Sequence, residues 1–188
     1  MDVTSTAQKI LDEALAELKE SEFSELYADE KAKRDFVKEC QLETDLEILI
    51  PDYYVTSVAE RLTLYKQLEG VKNEPELIEF EKQLVDRFGP VPKETKALVN
   101  TIRLRWLAKD MGFEKLVLKF SKMIAYFTGN QDSDYFQSEA FGKILEAIKQ
   151  NPNCCEMKEK KEKLTLVFNK VNKVDAALII LSNMMEMK

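Results

Sequence analysis

Hydrophobic and polar positions along this chain keep two periods, and the switches between them mark its elements. From Thr44 onward, Leu46, Ile48 and Ile50 alternate with Asp45 and Glu47, the two-residue period of a half-buried strand, which Pro51-Asp52 ends. Ser57 and Glu60 then have capping-box spacing, and Val58, Leu62, Tyr65 and Leu68 carry a helical period to Gly70. Asn73 and Glu76 repeat the spacing before Leu77, Phe80, Leu84, Val85 and Phe88, and Gly89-Pro90 stops that helix. Pro92 suits the first turn of a third helix ending at Gly112, with Leu98, Ile102, Leu104, Ala108 and Met111 as apolar positions.

The period then returns to two. Leu116, Leu118 and Phe120 are answered by Ile124 and Tyr126 across a tight connection at Ser121-Lys122. A polar turn from Gly129 to Ser133 leads to a helix over 138–150 with Phe141, Ile144, Leu145 and Ile148 inward, broken by Asn151-Pro152. A second hairpin follows: Cys155 and Met157, a charged tip from Lys158 to Glu162, then Leu164, Leu166 and Phe168. Asn172 is expected to cap a last helix carrying Val174, Ala177, Leu178, Leu181 and Met184. Two hairpins plus one strand among helices predict an α+β fold, with helices packed on short antiparallel strands.

The first 43 residues read differently. Ile10, Leu11, Ala14, Leu15 and Leu18 form one apolar helix face, and 20–43 mixes charges with scattered apolar residues, as a second helix or a loose linker would. The expected organisation is a helical appendage over 1–43 and a domain over 44–188.

Composition narrows the function. Five glycines and five prolines in 188 residues favour long helices with short connections. Net charge is −6, against the basic excess of most nucleic-acid binders. There is no histidine, which removes Ser-His-Asp and Cys-His arrangements and the commonest metal ligand. The five glycines lie too far apart to write a phosphate-binding loop. Three cysteines, Cys40 and the pair Cys154-Cys155, suit a reduced compartment better than a disulfide framework or a zinc site. With no long apolar run and no signal pattern, the expected setting is the cytoplasm, away from membranes. The chain is expected to bind rather than catalyse, with no cofactor, no metal and no catalytic residue.

Two stretches compete as binding surface. The third helix carries Lys93, Lys96, Arg103, Arg105 and Lys109 with Trp106 among them, which could track phosphates and stack a base; alternatively it is a solvated face with Trp106 packed inward. Lys96 and Arg103 fall on one side of that helix and Arg105 and Lys109 on another, so no single stripe forms. The other stretch is Leu84-Val85-Asp86-Arg87-Phe88-Gly89-Pro90-Val91-Pro92, a rigid helix end. Arg87 suits the negative helix terminus there; Asp86 does not, unless it has a partner in its own domain or on another surface. Tyr53-Tyr54 could clamp onto the first hairpin or stand exposed, and Met184, Met185 and Met187 read as one core residue and a frayed end.

Ile50-Pro51-Asp52-Tyr53-Tyr54-Val55, the Arg61-Leu62-xx-Tyr65-Lys66 block and Asp86-Arg87-Phe88-Gly89-Pro90-Val91-Pro92 together resemble the C-terminal domain of the bacterial transcription-repair coupling factor family, over about 46–188. The opening helix is similar to the end of that family's translocase module. The resemblance implies a piece of an ATP-driven DNA translocase that displaces stalled RNA polymerase and recruits the excision-repair protein UvrA. The terminal domain would dock on the UvrA-binding module of the same protein and restrain it until the motor engages. That contact would map onto Asp86 and Arg87, with Gln83 one turn earlier where the family often has an acidic residue. The alternative is a nucleic-acid-contacting domain using helix 92–111.

Overall fold

The computed structural model describes residues 36–129 and 133–186. The apolar helix face at 7–20, its likeness to a translocase end, and Met187 lie outside the described residues.

Strand β1 (Gln41–Thr44) opens the sheet, and helices α1 (Val58–Glu69), α2 (Glu74–Phe88) and α3 (Lys93–Met111) follow. Then come hairpin β2 (Phe113–Lys119) and β3 (Lys122–Phe127), a short 3-10 turn at Asp134–Gln137, and α4 (Glu139–Gln150). Hairpin β4 (Glu156–Lys160) and β5 (Lys163–Asn169) and helix α5 (Val174–Glu186) complete the fold. The strands make one sheet in the order β1-β2-β3-β5-β4. All neighbours are antiparallel except β1 and β2, so the sheet is mixed. The α+β class expected above is the one observed.

Helix limits follow the sequence signals closely. Ser57 Oγ accepts the Glu60 N–H at 3.3 Å, Asn73 Oδ1 accepts that of Glu76 at 3.0 Å, and Ser138 Oγ that of Phe141 at 3.3 Å. Pro92 stands at the N-cap of α3, and Gly112 ends that helix in the left-handed conformation, φ 90° and ψ 18°. A side chain there would overlap the ring of Tyr135, so only glycine fits.

Several expectations are corrected. The strand lies at Gln41–Thr44, ahead of the alternating Leu46, Ile48 and Ile50. Side chains, not a ladder, satisfy the backbone of 46–50: Thr44 Oγ1 accepts the Leu46 N–H at 3.0 Å, Thr95 donates to the Leu49 carbonyl at 3.1 Å, and Tyr65 accepts the Ile50 N–H at 2.8 Å. The alternation arises because Leu46 and Ile48 pack on one core and Ile50 on another. The compact unit containing the sheet begins at Phe36, within the stretch assigned to the appendage. Cys40 is fully buried there, and Phe36 meets the Tyr135 ring edge-on at 5.5 Å. The first hairpin turns at Phe120-Ser121 and the second at Lys161-Glu162, all four with positive φ, so Lys122 and Lys158 belong to strands. The last helix starts at Val174, which places Lys173 rather than Asn172 at its N-cap position.

Two buried clusters divide the apolar side chains. The larger joins one sheet face (Leu116, Leu118, Met123, Ala125, Leu166, Phe168) to residues of α3, α4 and α5. The smaller holds Ile50, Val55, Leu64, Leu68, Leu77, Phe80, Leu84 and Val99, so α3 serves both. Trp106 packs against this smaller cluster, as the inward reading expected.

Candidate docking site

The corner at the end of α2 is built by the segment 50–61. The Tyr54 hydroxyl donates to the Gly89 carbonyl at 2.8 Å and lies 3.1 Å from that of Leu84, which ties the connector to the helix end. Its ring meets Phe88 edge-on at 5.8 Å. Burial of this phenol raises its pKa above the usual tyrosine value. Tyr53, by contrast, is mostly exposed, with its hydroxyl donating to Glu94 at 3.2 Å. Arg61 holds the connector from the other side, donating to the Val55 and Thr56 carbonyls at 2.7 and 3.3 Å. The tyrosine and arginine blocks that carried the resemblance are thus the scaffold of the corner. Gly89 turns the chain with φ 87° and ψ −164°, an extended conformation open only to glycine.

On this scaffold Gln83, Asp86 and Arg87 are all exposed, with Gln83 one helical turn before the adjacent pair. The Arg87 side chain is 48% exposed and donates to Glu60 Oε1 at 2.8 Å. Its guanidinium carbon sits 4.7 Å from the Phe88 ring centre, a cation–π contact that fixes its direction. Glu60 was read as the second half of a capping box; its N–H is capped by Ser57, but its carboxylate crosses to Arg87. Asp86 has no hydrogen-bond or ion-pair partner among the described residues. The corner therefore presents an unpaired carboxylate beside an oriented guanidinium with half its surface open. Glu60 is the member that sequence reasoning missed, because its partner lies 27 residues away.

The basic helix is organised differently. Arg103 lies between Glu74 at 2.6 Å and Glu81 at 3.3 Å and also donates to Asn100 at 2.8 Å. The hydrogen bonds that Arg103 donates to Glu74, more than any other contact, raise its pKa further. Arg105 pairs with Glu39 and donates to the Cys40 carbonyl at 3.0 Å. Lys93 and Lys96 stay exposed near the helix start. Arg103 and Arg105 are thus spent on bonds inside the domain, Lys109 is engaged as well, and no common surface gathers the set. Among the described residues, no cluster of Cys, Asp and Glu could hold a metal ion, and no helix is long and apolar enough to cross a membrane.

Fold and corner together define a small α+β domain with an exposed polar helix end. Comparison with known proteins gives the family. The TRCF domain model matches residues 44–138, and the chain belongs to that family. Over 79 residues it is 35% identical to the transcription-repair-coupling factor of Escherichia coli K12, covering 42% of this chain and 7% of that protein. The factor of Rickettsia typhi is 27% identical over 125 residues, 66% of this chain and 10% of the relative. The chain thus spans about a tenth of the length of the curated relatives it matches. The crystal structure of a C-terminal domain of transcription-repair coupling factor shares the fold, with a TM-score of 0.64 at 19% identity over 79% of this chain and 92% of that one.

Proposed function

We propose that this chain is the C-terminal regulatory part of a transcription-repair coupling factor, and that it docks through Gln83, Asp86 and Arg87 on the UvrA-binding module of the same protein. The parent would be an ATP-driven DNA translocase that removes stalled RNA polymerase in the cytoplasm; this part would contribute restraint, not chemistry. The observation that supports the reading is Asp86, a carboxylate with no partner among the described residues at the wrong end of a helix dipole, beside a half-exposed guanidinium held by Glu60 and Phe88. An opposing surface with a cation and an anion would satisfy both members of the corner. Such charged pairs give specificity and partner choice more than raw affinity. That suits a latch: docking worth a few kcal/mol keeps the released form at about 0.1–10% and leaves it switchable. Gln83, exposed and without a hydrogen-bond partner among the described residues, adds a neutral polar group one turn earlier.

The test replaces Asp86 and Arg87 by alanine in the full-length protein and measures UvrA binding. Affinity is expected to rise several-fold as the latch loosens. Unchanged affinity, with the variant folded, would overturn the proposal.

A further inference from the structure

The sheet has a second face, and strand register shows what stands on it. Lys115, Val117 and Lys119 of β2 lie opposite Tyr126, Ile124 and Lys122 of β3. These continue to Thr165, Val167 and Asn169 of β5, and then to Lys158 and Glu156 of β4, with Lys160 opposite Lys163. Gln41 and Glu43 of β1 complete the face. Val117, Ile124, Tyr126 and Val167 belong to neither buried cluster; the first three are half-buried, and Val167 and Thr165 are buried beneath the longer side chains around them to 9% exposure.

Charge on this face is segregated. It carries six lysines (115, 119, 122, 158, 160 and 163) against two glutamates, a net of about +4 on a chain whose total is −6. Glu43 takes Lys115 at 2.7 Å and Lys119 at 3.4 Å, and Glu156 takes Lys158 at 3.4 Å. Lys122, Lys160 and Lys163 have no ion-pair partner among the described residues.

Each hairpin, moreover, closes on a lysine pair: Lys119 opposite Lys122, and Lys160 opposite Lys163. Like charges directly opposite each other destabilise a sheet. Protection of an exposed edge explains lysines on the outermost strand β4, but β2 and β3 are interior strands, where that reason fails. The two pairs sit at opposite ends of the sheet, about 20 Å apart along β5. Between them lie an apolar row and Tyr126, whose ring has Lys115 Nζ 6.0 Å from its centre. At one end Phe120, 83% exposed, projects from the turn with φ 54°, a conformation costly for a bulky side chain.

We infer that this outer sheet face binds single-stranded nucleic acid. The lysine pairs at its two ends hold the phosphates of one short strand, and Tyr126 between them, with Phe120 at the rim, stacks unpaired bases. A flat sheet with a central aromatic ring accepts splayed bases, whereas a duplex hides them. This site is separate from the Asp86-Arg87 corner and from helix α3, and it stands whether or not the corner docks.

The test titrates the full 188-residue chain into fluorescein-labelled oligothymidylate at about 50 mM salt, followed by anisotropy, with a Kd expected at about 10⁻⁴–10⁻⁶ M. Lys119→Gln with Lys122→Gln should weaken binding at least tenfold and make the salt slope shallower by about 1.4, at 0.7 per phosphate on a single strand. Tyr126→Leu, which keeps apolar volume but removes the stacking ring, should weaken it about five- to a hundredfold. Both variants are compared with the parent by thermal melting, and Lys160→Gln with Lys163→Gln on β4 gives an independent check should either unfold. No anisotropy change up to about 0.1 mM chain would overturn the inference. So would a duplex binding as well as the single strand with Tyr126→Leu silent, or poly-L-glutamate competing as strongly as oligothymidylate, which would make the face a seat for an acidic protein. Loss of binding in Lys93→Gln with Lys96→Gln, with the sheet variants unaffected, would move the site to α3.

Discussion

Two helix ends in this domain are closed by the same device in opposite settings. At the end of α3, the Tyr135 hydroxyl donates to the Met111 carbonyl and Gly112 turns the chain beneath the tyrosine ring. At the end of α2, the Tyr54 hydroxyl donates to the Gly89 carbonyl, and Gly89 turns the chain into open space. Tyr135 is fully buried among Phe36, Phe127, Phe136 and Phe141, whereas Tyr54 is half-buried at the margin of the smaller cluster, with Phe88 as its aromatic neighbour. One latch is part of the core; the other holds up a surface. Stability should reside in the first and recognition in the second, and substitutions can separate the two.

The largest effect is expected from the glycines. Gly112→Ala must accept a left-handed backbone and displace the Tyr135 ring from a packed aromatic cluster, which together should cost about 3–5 kcal/mol. Gly89→Ala meets no neighbour and carries only the backbone penalty, about 1–3 kcal/mol. Urea unfolding of both variants measures the difference; equal losses would mean that the two ends are not distinct in packing.

The tyrosines come next. Tyr135→Phe leaves the Met111 carbonyl buried without its donor, an expected loss of about 1–3 kcal/mol. Tyr54→Phe removes the donor from the half-buried Gly89 carbonyl, so about 0.5–1.5 kcal/mol is expected, and a larger loss than for Tyr135→Phe would reverse the comparison.

Alkali should also act on the larger core. Burial pushes the Cys40 thiol up to about 12. The unfolded thiol loses its proton near pH 8.5–9 while the folded one keeps it, so folding binds the extra proton in that window. Stability is therefore undiminished below about pH 8.5 and falls as pH rises toward 12, by at most about 1.4 kcal/mol per pH unit from this group. Melting curves of the parent and of Cys40→Ala between pH 8 and 10.5 should diverge in slope, the parent falling faster. Parallel curves would show that Cys40 is not the group responsible.

Local signals made much of this architecture readable. Serine and asparagine caps, Gly112 and the Asn151-Pro152 break located the helices because each acts on its own backbone within a few residues. Strand β1 was hidden because Gln41-Leu42-Glu43-Thr44 presents little apolar alternation, and its pairing with β2 is fixed across 74 residues. Leu46, Ile48 and Ile50 imitated a strand because the first two pack on the larger cluster and the third on the smaller, with no strand ladder between them. The corner was legible because Arg87-Phe88-Gly89-Pro90 is local chemistry; Glu60 was not, because only the return of α2 alongside α1 brings its carboxylate to Arg87. The lysine face belongs to the same class, since six residues on four strands share a side only once the register is known.

The smallest stability effect is expected at the corner itself. Asp86→Ala removes a carboxylate that makes no hydrogen bond or ion pair among the described residues and sits unfavourably at the helix C-terminus, so the change should be neutral or slightly stabilising. Arg87→Ala loses an exposed ion pair with Glu60 and a cation–π contact with Phe88, worth about 0–1 kcal/mol together at such exposure. The double variant should therefore unfold within about 1 kcal/mol of the parent in urea, while Tyr135→Phe, far from the corner, shifts clearly. This outcome gives the UvrA-binding experiment its meaning, because a gain in binding by a fully folded variant cannot be ascribed to a loosened domain. A loss above about 2 kcal/mol would instead place the pair among the internal supports of the fold, in the same role as Tyr54 beneath it.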